Sequence, residues 1–297
     1  MKIDFLNDLR NLIKSNLKLM GYSLPQNQEL PPLMLYYSNI TKRLIAPQKR
    51  TVKISKEICK DDLKLKKVDI LKTKIENGDD INAFQSNKIK NNPMYQDKLF
   101  NDWEIHHIHF AKEKTKELLF VFFDQKNAYL IDIMPHENPE LGIITWANSN
   151  LIQILHNNWP DLLIPYKMNS VTECGITDKN RQTLRNKNAN AFIQMLDGTI
   201  YMPIGGGLVT SGHSISDIMQ NDKTIKILKR MQEYCQKELA KENIAGLQLE
   251  SFEADENLQI HNYDASARVV SSDGNQTASI RVNVSDKFIS YYLIPLF

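Results

Sequence analysis

The sequence is poor in cysteine and has no long hydrophobic run, and both shortages exclude classes of protein. Its 297 residues contain three cysteines, which stand far apart at Cys59, Cys174 and Cys235. Three dispersed cysteines fit neither a disulfide framework, in which cysteines pair, nor a clustered zinc site. The mean hydropathy is −0.41, and no segment approaches the about 20 apolar residues that a membrane-spanning helix needs. We therefore expect reduced thiols, a cytoplasmic location and no membrane partner.

The chain also has little net charge, but its basic residues are unevenly distributed. The formal net charge is +2, whereas residues 41–75 contain twelve Lys or Arg and four Asp or Glu. A basic face attracts phosphates, so Lys64, Lys66 and Lys67 are candidate contacts for a nucleic acid. The same residues also fit a solvated, lysine-rich surface, and the sequence leaves both interpretations open.

Periodicity predicts secondary structure at the two ends of the chain. Apolar residues recur at helical spacing over residues 3–20, and Gly21 stands where a C-cap is expected. The charged residues within this helix do not fit a signal peptide. Towards the other end, a long helix is predicted from Ser214 to Ala240, and Asp273–Gly274 supplies the turn of a closing β-hairpin.

Between these ends the hydrophobic period changes, and this change predicts three segments. Hydrophobic residues make up 42% of the chain and charged residues 24%, which excludes wholesale disorder. Turn-forming residues around 76–98 indicate a boundary near residue 95. We predict an α+β fold with a helical, basic region over residues 1–95, a histidine-rich β-meander with a helix over 96–165, and an α+β segment over 166–297.

The middle segment alternates apolar and polar residues as strands do. We predict strands over residues 103–110, 118–123 and 128–134, joined as a three-stranded antiparallel meander. The sequence LLFVFF at 118–123 is apolar on both faces and is therefore the predicted central strand.

Four of the seven histidines of the chain lie between residues 106 and 136. Alternation on a strand places His107 and His109 on one face, together with Trp103, and His106 on the other. His136 follows the third predicted strand. If the strands pair in sequence, these imidazoles converge at one edge of the meander.

Three interpretations of this histidine segment remain open. Each histidine can be structural, with one ring nitrogen bonded to a neighbouring backbone group. The His-x-His spacing also fits a metal site completed by His136 and Asp132 or Glu137. Thirdly, imidazole titrates near neutral pH, so two positioned histidines can serve as general base and general acid on a phosphodiester. Neighbouring lysines would then stabilise the negative charge of the transition state.

The run KELLFVFFDQKNAYLIDIMPHE at residues 116–137 resembles the central hairpin of the RelE/ParE-like small RNase toxins. Both have a basic residue, an apolar strand, a short acidic turn, a second apolar strand and a terminal histidine or basic residue. The resemblance covers residues 103–137 and implies RNA cleavage without a metal. This chain departs from the pattern in its greater length and in Lys116, where arginine is frequent.

A glycine-rich loop, GGGLVTSGHSIS at residues 205–216, precedes the long C-terminal helix. From Gly207 its spacing matches a phosphate loop, but His213 replaces the lysine that such loops require. We therefore exclude a nucleotide hydrolase. Backbone N–H groups with Ser211 and Ser214 would still suit a phosphate, and an ordinary loop with a serine N-cap fits equally.

The leading hypothesis is a metal-independent endoribonuclease of toxin or phage-defence type that needs no cofactor. Its candidate catalytic residues are His107, His109, His136 and Lys116. Its candidate substrate contacts are Trp103, Lys112, Lys64, Lys66, Lys67, Ser211 and Ser214. RNA is the expected partner, with a protein antitoxin or a second copy of the chain as a further one. The alternatives are a non-catalytic nucleic-acid or protein binding module with structural histidines, and a metal-dependent hydrolase that uses His107 and His109.

Overall fold

The computed structural model of this chain contains two compact units that each combine helices with a β-sheet. It describes residues 2–112, 115–138, 140, 142–169, 171, 175–238, 246–254, 263–270, 276–284 and 289–295. One unit comprises Met1–Tyr37 and Met219–Phe297, and the other comprises Ser38–Ile218. The predicted α+β fold class is therefore confirmed. Within the described residues, none of the helices combines the length and the apolar character needed to cross a bilayer.

The first unit contains a five-stranded sheet. Its elements are β1 (Lys2–Ile3), α1 (Phe5–Leu19), β8 (Gly246–Ala254), β9 (Tyr263–Val270), β10 (Gln276–Val284) and β11 (Ile289–Pro295). The strand order is β1-β8-β9-β10-β11, with β1 parallel to β8 and the other pairs antiparallel. The predicted C-terminal hairpin is present as β9 and β10, although its Asp273–Gly274 turn lies outside the described residues. The flanking strands β8 and β11 were not predicted.

Helix α1 forms where apolar periodicity and a capping residue coincide. The Asp4 side chain accepts a hydrogen bond from the backbone N–H of Asn7 at 3.0 Å, which caps the first turn. One apolar stripe is buried, comprising Phe5, Leu9, Ile13 and Leu17. Gly21 then takes a φ of +78°, a conformation that glycine adopts without strain. The helix predicted over residues 3–20 is thus confirmed with slightly shorter bounds.

The second unit contains the predicted meander. Its strands are β2 (Thr51–Ile54), β3 (Ile105–His109), β4 (Glu117–Phe123), β5 (Asn127–Pro135), β6 (Ile193–Gln194) and β7 (Ile200–Tyr201). Its helices are α3 (Lys56–Cys59), α4 (Asp62–Asn77), α5 (Lys88–Asn91), α6 (Lys98–Trp103), α7 (Asn150–Asn158) and α8 (Asp178–Asn186), with 3-10 turns at Asn82–Phe84 and Pro160–Tyr166. Helices α2 (Leu30–Thr41) and α9 (Ile215–Glu238) each contribute residues to both units. The helix predicted from Ser214 to Ala240 is α9.

The main sheet of the second unit has the order β2-β5-β4-β3. Strands β3, β4 and β5 pair antiparallel in sequence, so the three-stranded meander is confirmed with LLFVFF at its centre. Strand β2 adds a fourth strand, parallel to β5. The pairing of β2 with β5 joins chain segments on the two sides of residue 95. The boundaries expected near residues 95 and 165 both lie inside the unit Ser38–Ile218.

Each face of the meander is covered by a different set of helices. On one face, the apolar side chains of α7 pack against strand residues Ile105, Leu118, Phe120, Ile131 and Met134. On the other face, the apolar side chains of α4 pack against Ile108, Leu119, Val121, Leu130 and Ile133. Burial on both faces explains why β4 is an almost continuous apolar run.

Trp103 was predicted to begin the first strand of the meander, and this prediction is wrong. Trp103 is the last residue of α6, which begins where the Asp97 side chain accepts the N–H of Phe100 at 3.1 Å. Glu104 then adopts a φ of +56°, which ends the helix and turns the chain into β3. A six-residue helix leaves too short a periodic signal for the sequence to distinguish it from a strand.

Candidate functional site

The three histidines predicted to be catalytic line one cleft of about 440 Å³ in the second unit. His107 and His109 lie on the same face of β3, opposite Phe120 and Leu118 of β4. His136 follows β5, and its N–H donates to the Lys116 carbonyl at 2.8 Å, which extends the strand pairing. Antiparallel pairing thus brings the His109 and His136 rings to a centroid separation of 6.4 Å. Three of the four imidazoles of the histidine segment therefore converge, whereas His106 does not line this cleft. The volume suits a small molecule or one part of a larger one.

The remaining walls of the cleft come from two other parts of the same unit. One wall is the segment that precedes and begins α6, with Gln85, Ser86, Asn87, Lys88, Tyr95, Gln96, Asp97, Lys98 and Leu99. The other is the end of α8, with Gln182, Arg185 and Asn186. Lys112 and Trp146 complete the lining.

His107 faces the carboxylate of Asp97. The distance between His107 Nδ1 and Asp97 Oδ2 is 3.6 Å, and both side chains are about 15% exposed. The second carboxylate oxygen of Asp97 accepts the N–H of Phe100, so the cap of α6 fixes the orientation of this carboxylate. A carboxylate placed in this way holds an imidazole in one orientation and stabilises the imidazolium that forms when the ring takes up a proton.

The loop between β3 and β4 contacts Nδ1 of His109 and selects one tautomer of its neutral ring. The backbone N–H of Thr115 donates to His109 Nδ1 at 3.1 Å. The Thr115 hydroxyl donates its hydrogen to the carbonyl of Glu117 at 2.6 Å, so this hydroxyl does not also donate to the ring. Because Nδ1 is an acceptor, the hydrogen of the neutral ring resides on Nε2. Protonation of His109 would break the bond from Thr115, which makes this ring a hydrogen-bond donor rather than a base.

Trp146 contacts two of the three imidazoles. Its ring centroid lies 4.9 Å from that of His107 and 5.2 Å from that of His136. Glu137 fixes the backbone at this point, since its Oε2 accepts the N–H groups of Trp146 at 3.0 Å and Thr145 at 3.3 Å. Sequence reasoning missed Trp146 because no local pattern links it to the histidine segment.

Cationic side chains outnumber acidic ones in the lining of the cleft. Among the described residues that line it, Lys88, Lys98, Lys112 and Arg185 are cationic and Asp97 is acidic, and Arg185 is paired with the carboxylate of Asp102. Lys98 Nζ donates to the carbonyls of Arg185 at 3.2 Å and Asn186 at 3.0 Å, which caps the C-terminus of α8. Burial lowers the pKa of the Lys98 ammonium. This distribution of charge favours an anionic ligand.

Two buried polar atoms of the cleft have no hydrogen-bond partner among the described residues. They are Nδ1 of His107 and Oε1 of Gln182. Buried polar atoms are nearly always hydrogen-bonded in folded proteins, so each such exception needs an explanation, such as a catalytic role or a bound water. Both exceptions occur in the lining that carries the histidines.

Two of the predicted site residues beside the meander lie away from the cleft. Trp103 is fully buried, and its ring lies 4.3 Å from the guanidinium carbon of Arg185. It is therefore part of the core and is not a platform for a nucleobase. Lys116 is exposed and does not line the cleft, whereas Lys112 does. Lys114, a neighbouring lysine, lies outside the described residues.

The predicted nucleic-acid contacts of the basic segment also lie elsewhere. Lys64, Lys66 and Lys67 belong to α4, which covers the sheet face opposite His107 and His109. Lys64 pairs with Asp132 at 2.6 Å, and Lys67 pairs with Glu117. Lys66 is exposed. The structure thus neutralises part of this basic face with carboxylates of the same unit.

Several backbone N–H groups of the glycine-rich loop are occupied by hydrogen bonds within the protein. Backbone N–H groups of this loop donate to other groups of the protein at Gly205, Gly206, Leu208, Val209, Gly212 and Ile215. Ser214 is buried and lies 2.6 Å from the hydroxyl of Ser216, while the exposed Ser211 lies 3.0 Å from His213 Nδ1. Neither Ser211 nor Ser214 lines the histidine cleft. Phosphate binding here stays a prediction, and these donors do not support it.

The ligand geometry does not favour the metal-dependent alternative. Over the described part of the chain, no three His, Cys, Asp or Glu side chains are grouped so that they could hold a metal ion. The two carboxylates proposed to complete such a site have other contacts. Asp132 pairs with Lys64, and Glu137 accepts backbone N–H groups.

His106 lies on the opposite face of β3 and is structural. Its ring packs edge-on between Phe100 and Phe123, at centroid distances of 4.6 and 5.3 Å. Burial lowers its pKa from 6.5 to about 3. The imidazole therefore stays neutral throughout the range in which an exposed histidine titrates.

This depressed pKa predicts a pH-dependent stability. The unfolded chain binds a proton at His106 below pH 6.5, and the folded chain does not until about pH 3. Stability from this group is therefore complete above pH 6.5 and falls by about 1.4 kcal/mol per pH unit below it. We expect wild type to lose about 2 kcal/mol more than His106→Leu between pH 7.5 and pH 5. Urea unfolding followed by tryptophan fluorescence measures this difference, and equal losses would show that His106 is not the cause.

Comparisons of the chain with known proteins found no relative. No protein-family model, no curated protein and no solved structure matches the chain. The resemblance of residues 103–137 to the RelE/ParE-like toxins stays a prediction.

Proposed function

We propose that the histidine cleft is the active site of an endoribonuclease that cleaves RNA by general acid–base catalysis without a metal. The observation that carries this proposal is the convergence of His107, His109 and His136 in one cationic cleft, with Asp97 beside His107. Cleavage of RNA requires a base for the 2′-hydroxyl, an acid for the leaving oxygen and positive charge at the phosphorane. Side chains of these three kinds line the cleft.

His107 is the proposed general base. Its imidazole removes the proton of the ribose 2′-hydroxyl, and the 2′-oxygen attacks the adjacent phosphorus. The carboxylate of Asp97, 3.6 Å from Nδ1, stabilises the imidazolium that results. The distance is longer than a hydrogen bond, as is common at catalytic sites before substrate binds.

His136 is the proposed general acid, and His109 is the proposed donor to the phosphate. His136 gives a proton to the 5′-oxygen as the bond between phosphorus and that oxygen breaks. The products are a 2′,3′-cyclic phosphate and a 5′-hydroxyl. His109 donates from Nε2 to a non-bridging oxygen, because its Nδ1 is engaged by the Thr115 N–H. Lys98 and Lys112 add positive charge around the same oxygens.

This division of roles differs from the one that the sequence favours. Strand alternation alone makes His107 and His109 an acid–base pair because they share a face. The hydrogen bond from Thr115 instead favours a neutral His109, which leaves His136 as the proton donor. Lys116 has no role in the cleft.

The direct test is cleavage of a single-stranded RNA by the full chain in excess EDTA. We expect fragments that end in a 2′,3′-cyclic phosphate, because the proposed nucleophile is the neighbouring 2′-oxygen. Binding of RNA without cleavage would favour the non-catalytic binding module instead. Cleavage that requires added Zn²⁺ or Mn²⁺ would favour the metal-dependent hydrolase.

The cellular setting belongs to the same proposal. An RNase of this kind would act on cytoplasmic RNA, in keeping with the cytoplasmic location expected from the sparse cysteines. A toxin or phage-defence role, and an antitoxin or a second copy of the chain as partner, stay predictions from the sequence.

A further inference from the structure

The mouth of the cleft presents an aromatic ring that the proposed chemistry does not use. Tyr95 lines the cleft, and the residue is 37% exposed. The ammonium of Lys88 lies 4.3 Å from the centroid of this ring. Trp146 is half-buried and its ring contacts two histidines, whereas Tyr95 is exposed. Tyr95 is therefore the more accessible of these two aromatic rings.

Buried polar side chains hold the backbone of Tyr95 in place. The carbonyl of Tyr95 accepts hydrogen bonds from Asn39 Nδ2 at 3.1 Å and Arg43 Nη1 at 3.0 Å. The same two side chains donate to the carbonyl of Pro93 at 2.7 and 3.1 Å. Asn39 and Arg43 are themselves buried. Four hydrogen bonds therefore fix the chain on which the exposed ring stands.

From these contacts we infer that the cleft takes a single unpaired nucleotide of RNA, whose base stacks on Tyr95 while its phosphate lies against the histidines and lysines. The inference rests on the proposed function and specifies its substrate. A cleft of about 440 Å³ has room for one nucleotide but not for the volume of a base-paired helix. Proteins that read unpaired RNA stack its bases on aromatic side chains in this manner.

The chemistry of the ring suits sequence-tolerant stacking. A tyrosine phenol is uncharged at neutral pH, so the ring does not repel the phosphate chain. The ammonium of Lys88 lies over the Tyr95 ring, so it would also lie beside a nucleotide that docks at this ring. Every nucleobase has an aromatic face, so this platform accepts any of the four bases.

The test measures binding, so that it does not depend on cleavage. The probe is a fluorescent 2′-O-methyl RNA of eight nucleotides, which lacks the nucleophilic hydroxyl, used alone and annealed to its complement. We expect wild type to bind the single strand at least tenfold more tightly than the duplex. Tyr95→Ala should weaken single-strand binding by roughly 5- to 100-fold, the scale of losing one stacked base, whereas Tyr95→Phe keeps the ring and the affinity.

Each outcome decides the inference. Equal affinity for single strand and duplex, or full affinity in Tyr95→Ala, would overturn it, and the comparison of single strand with duplex needs no variant. Should the single strand bind as expected while natural RNA stays uncut, the proposed function fails and the single-strand site stands. Should natural RNA be cut at equal rates by wild type and Tyr95→Ala, the proposed function stands and the stacking site fails.

Discussion

Replacing His107 with alanine is expected to lower the rate of RNA cleavage by about 10²–10⁴, the usual loss when a general base is removed. His107 lies beside the Asp97 carboxylate in the cleft, which is the geometry proposed for the base. Its Nδ1 makes no hydrogen bond among the described residues, so the fold should survive the change. Initial rates on a single-stranded RNA measure the loss, and circular dichroism measures the fold.

His156 offers a matched control within the same unit. It lies on α7 outside the cleft, where its ring contacts the hydroxyl of Tyr201 at 2.8 Å and Asp197 at 3.2 Å. We expect His156→Gln to cleave RNA at the rate of wild type. A folded His107→Ala protein with full activity would contradict the assignment and move the base to another group. Equal losses in both variants would indicate a general effect on folding.

Removing the carboxylate of Asp102 is expected to cost about 3–5 kcal/mol of stability, because it leaves a buried charge without its partner. The Arg185 side chain is 2% exposed and that of Asp102 is 7% exposed. Arg185 donates to Asp102 Oδ2 from Nε at 3.0 Å and also packs on the ring of Trp103. Asp102→Ala would therefore leave a buried guanidinium without its carboxylate partner. Urea unfolding followed by tryptophan fluorescence reports on this unit, because all three tryptophans lie in it.

Two further variants make this prediction specific. The double variant Asp102→Ala with Arg185→Met removes both charges and should recover much of the loss, since apolar replacements of buried pairs are often close to neutral. The exposed pair of Lys72 and Glu76 on α4 is the control, and Glu76→Ala should cost no more than about 0.5 kcal/mol. A loss below 1 kcal/mol in Asp102→Ala would show that water reaches Arg185.

The meander and the grouping of its histidines could be predicted from sequence because both depend on local rules. Side chains alternate along a strand, so the spacing of His107 and His109 was enough to place them on one face. Strands close in sequence pair with short connections, which brought His136 to the same edge. The apolar run of β4 identified the strand that is buried on both sides.

The rest of the site depends on contacts between distant parts of the chain. Strand β2 has four residues and pairs with a strand more than 70 positions later, so no periodic signal marked it. Asp97, Tyr95 and Trp146 reach the cleft from segments that show no pattern linking them to the histidines. Trp103 was predicted to lie on a strand because its helix, at six residues, is too short to show a helical period in the sequence.

In the basic segment, charge composition alone does not show which of the cations are paired. Counting lysines and arginines does not reveal their partners. Arg43 is buried and bonded to backbone carbonyls, while Lys64 and Lys67 pair with carboxylates of the meander. The cations of the cleft instead come from positions outside that segment, including Lys88, Lys98 and Lys112.

The most direct measurement compares cleavage of two single strands in excess EDTA. One is RNA throughout, and the other has the same sequence with deoxyribose at every position. Because the proposed nucleophile is the 2′-oxygen activated by His107, we expect wild type to cut the RNA strand to a 2′,3′-cyclic phosphate and to leave the deoxyribose strand intact. Equal cleavage of both strands, or an uncut RNA strand, would contradict an acid–base ribonuclease in this cleft.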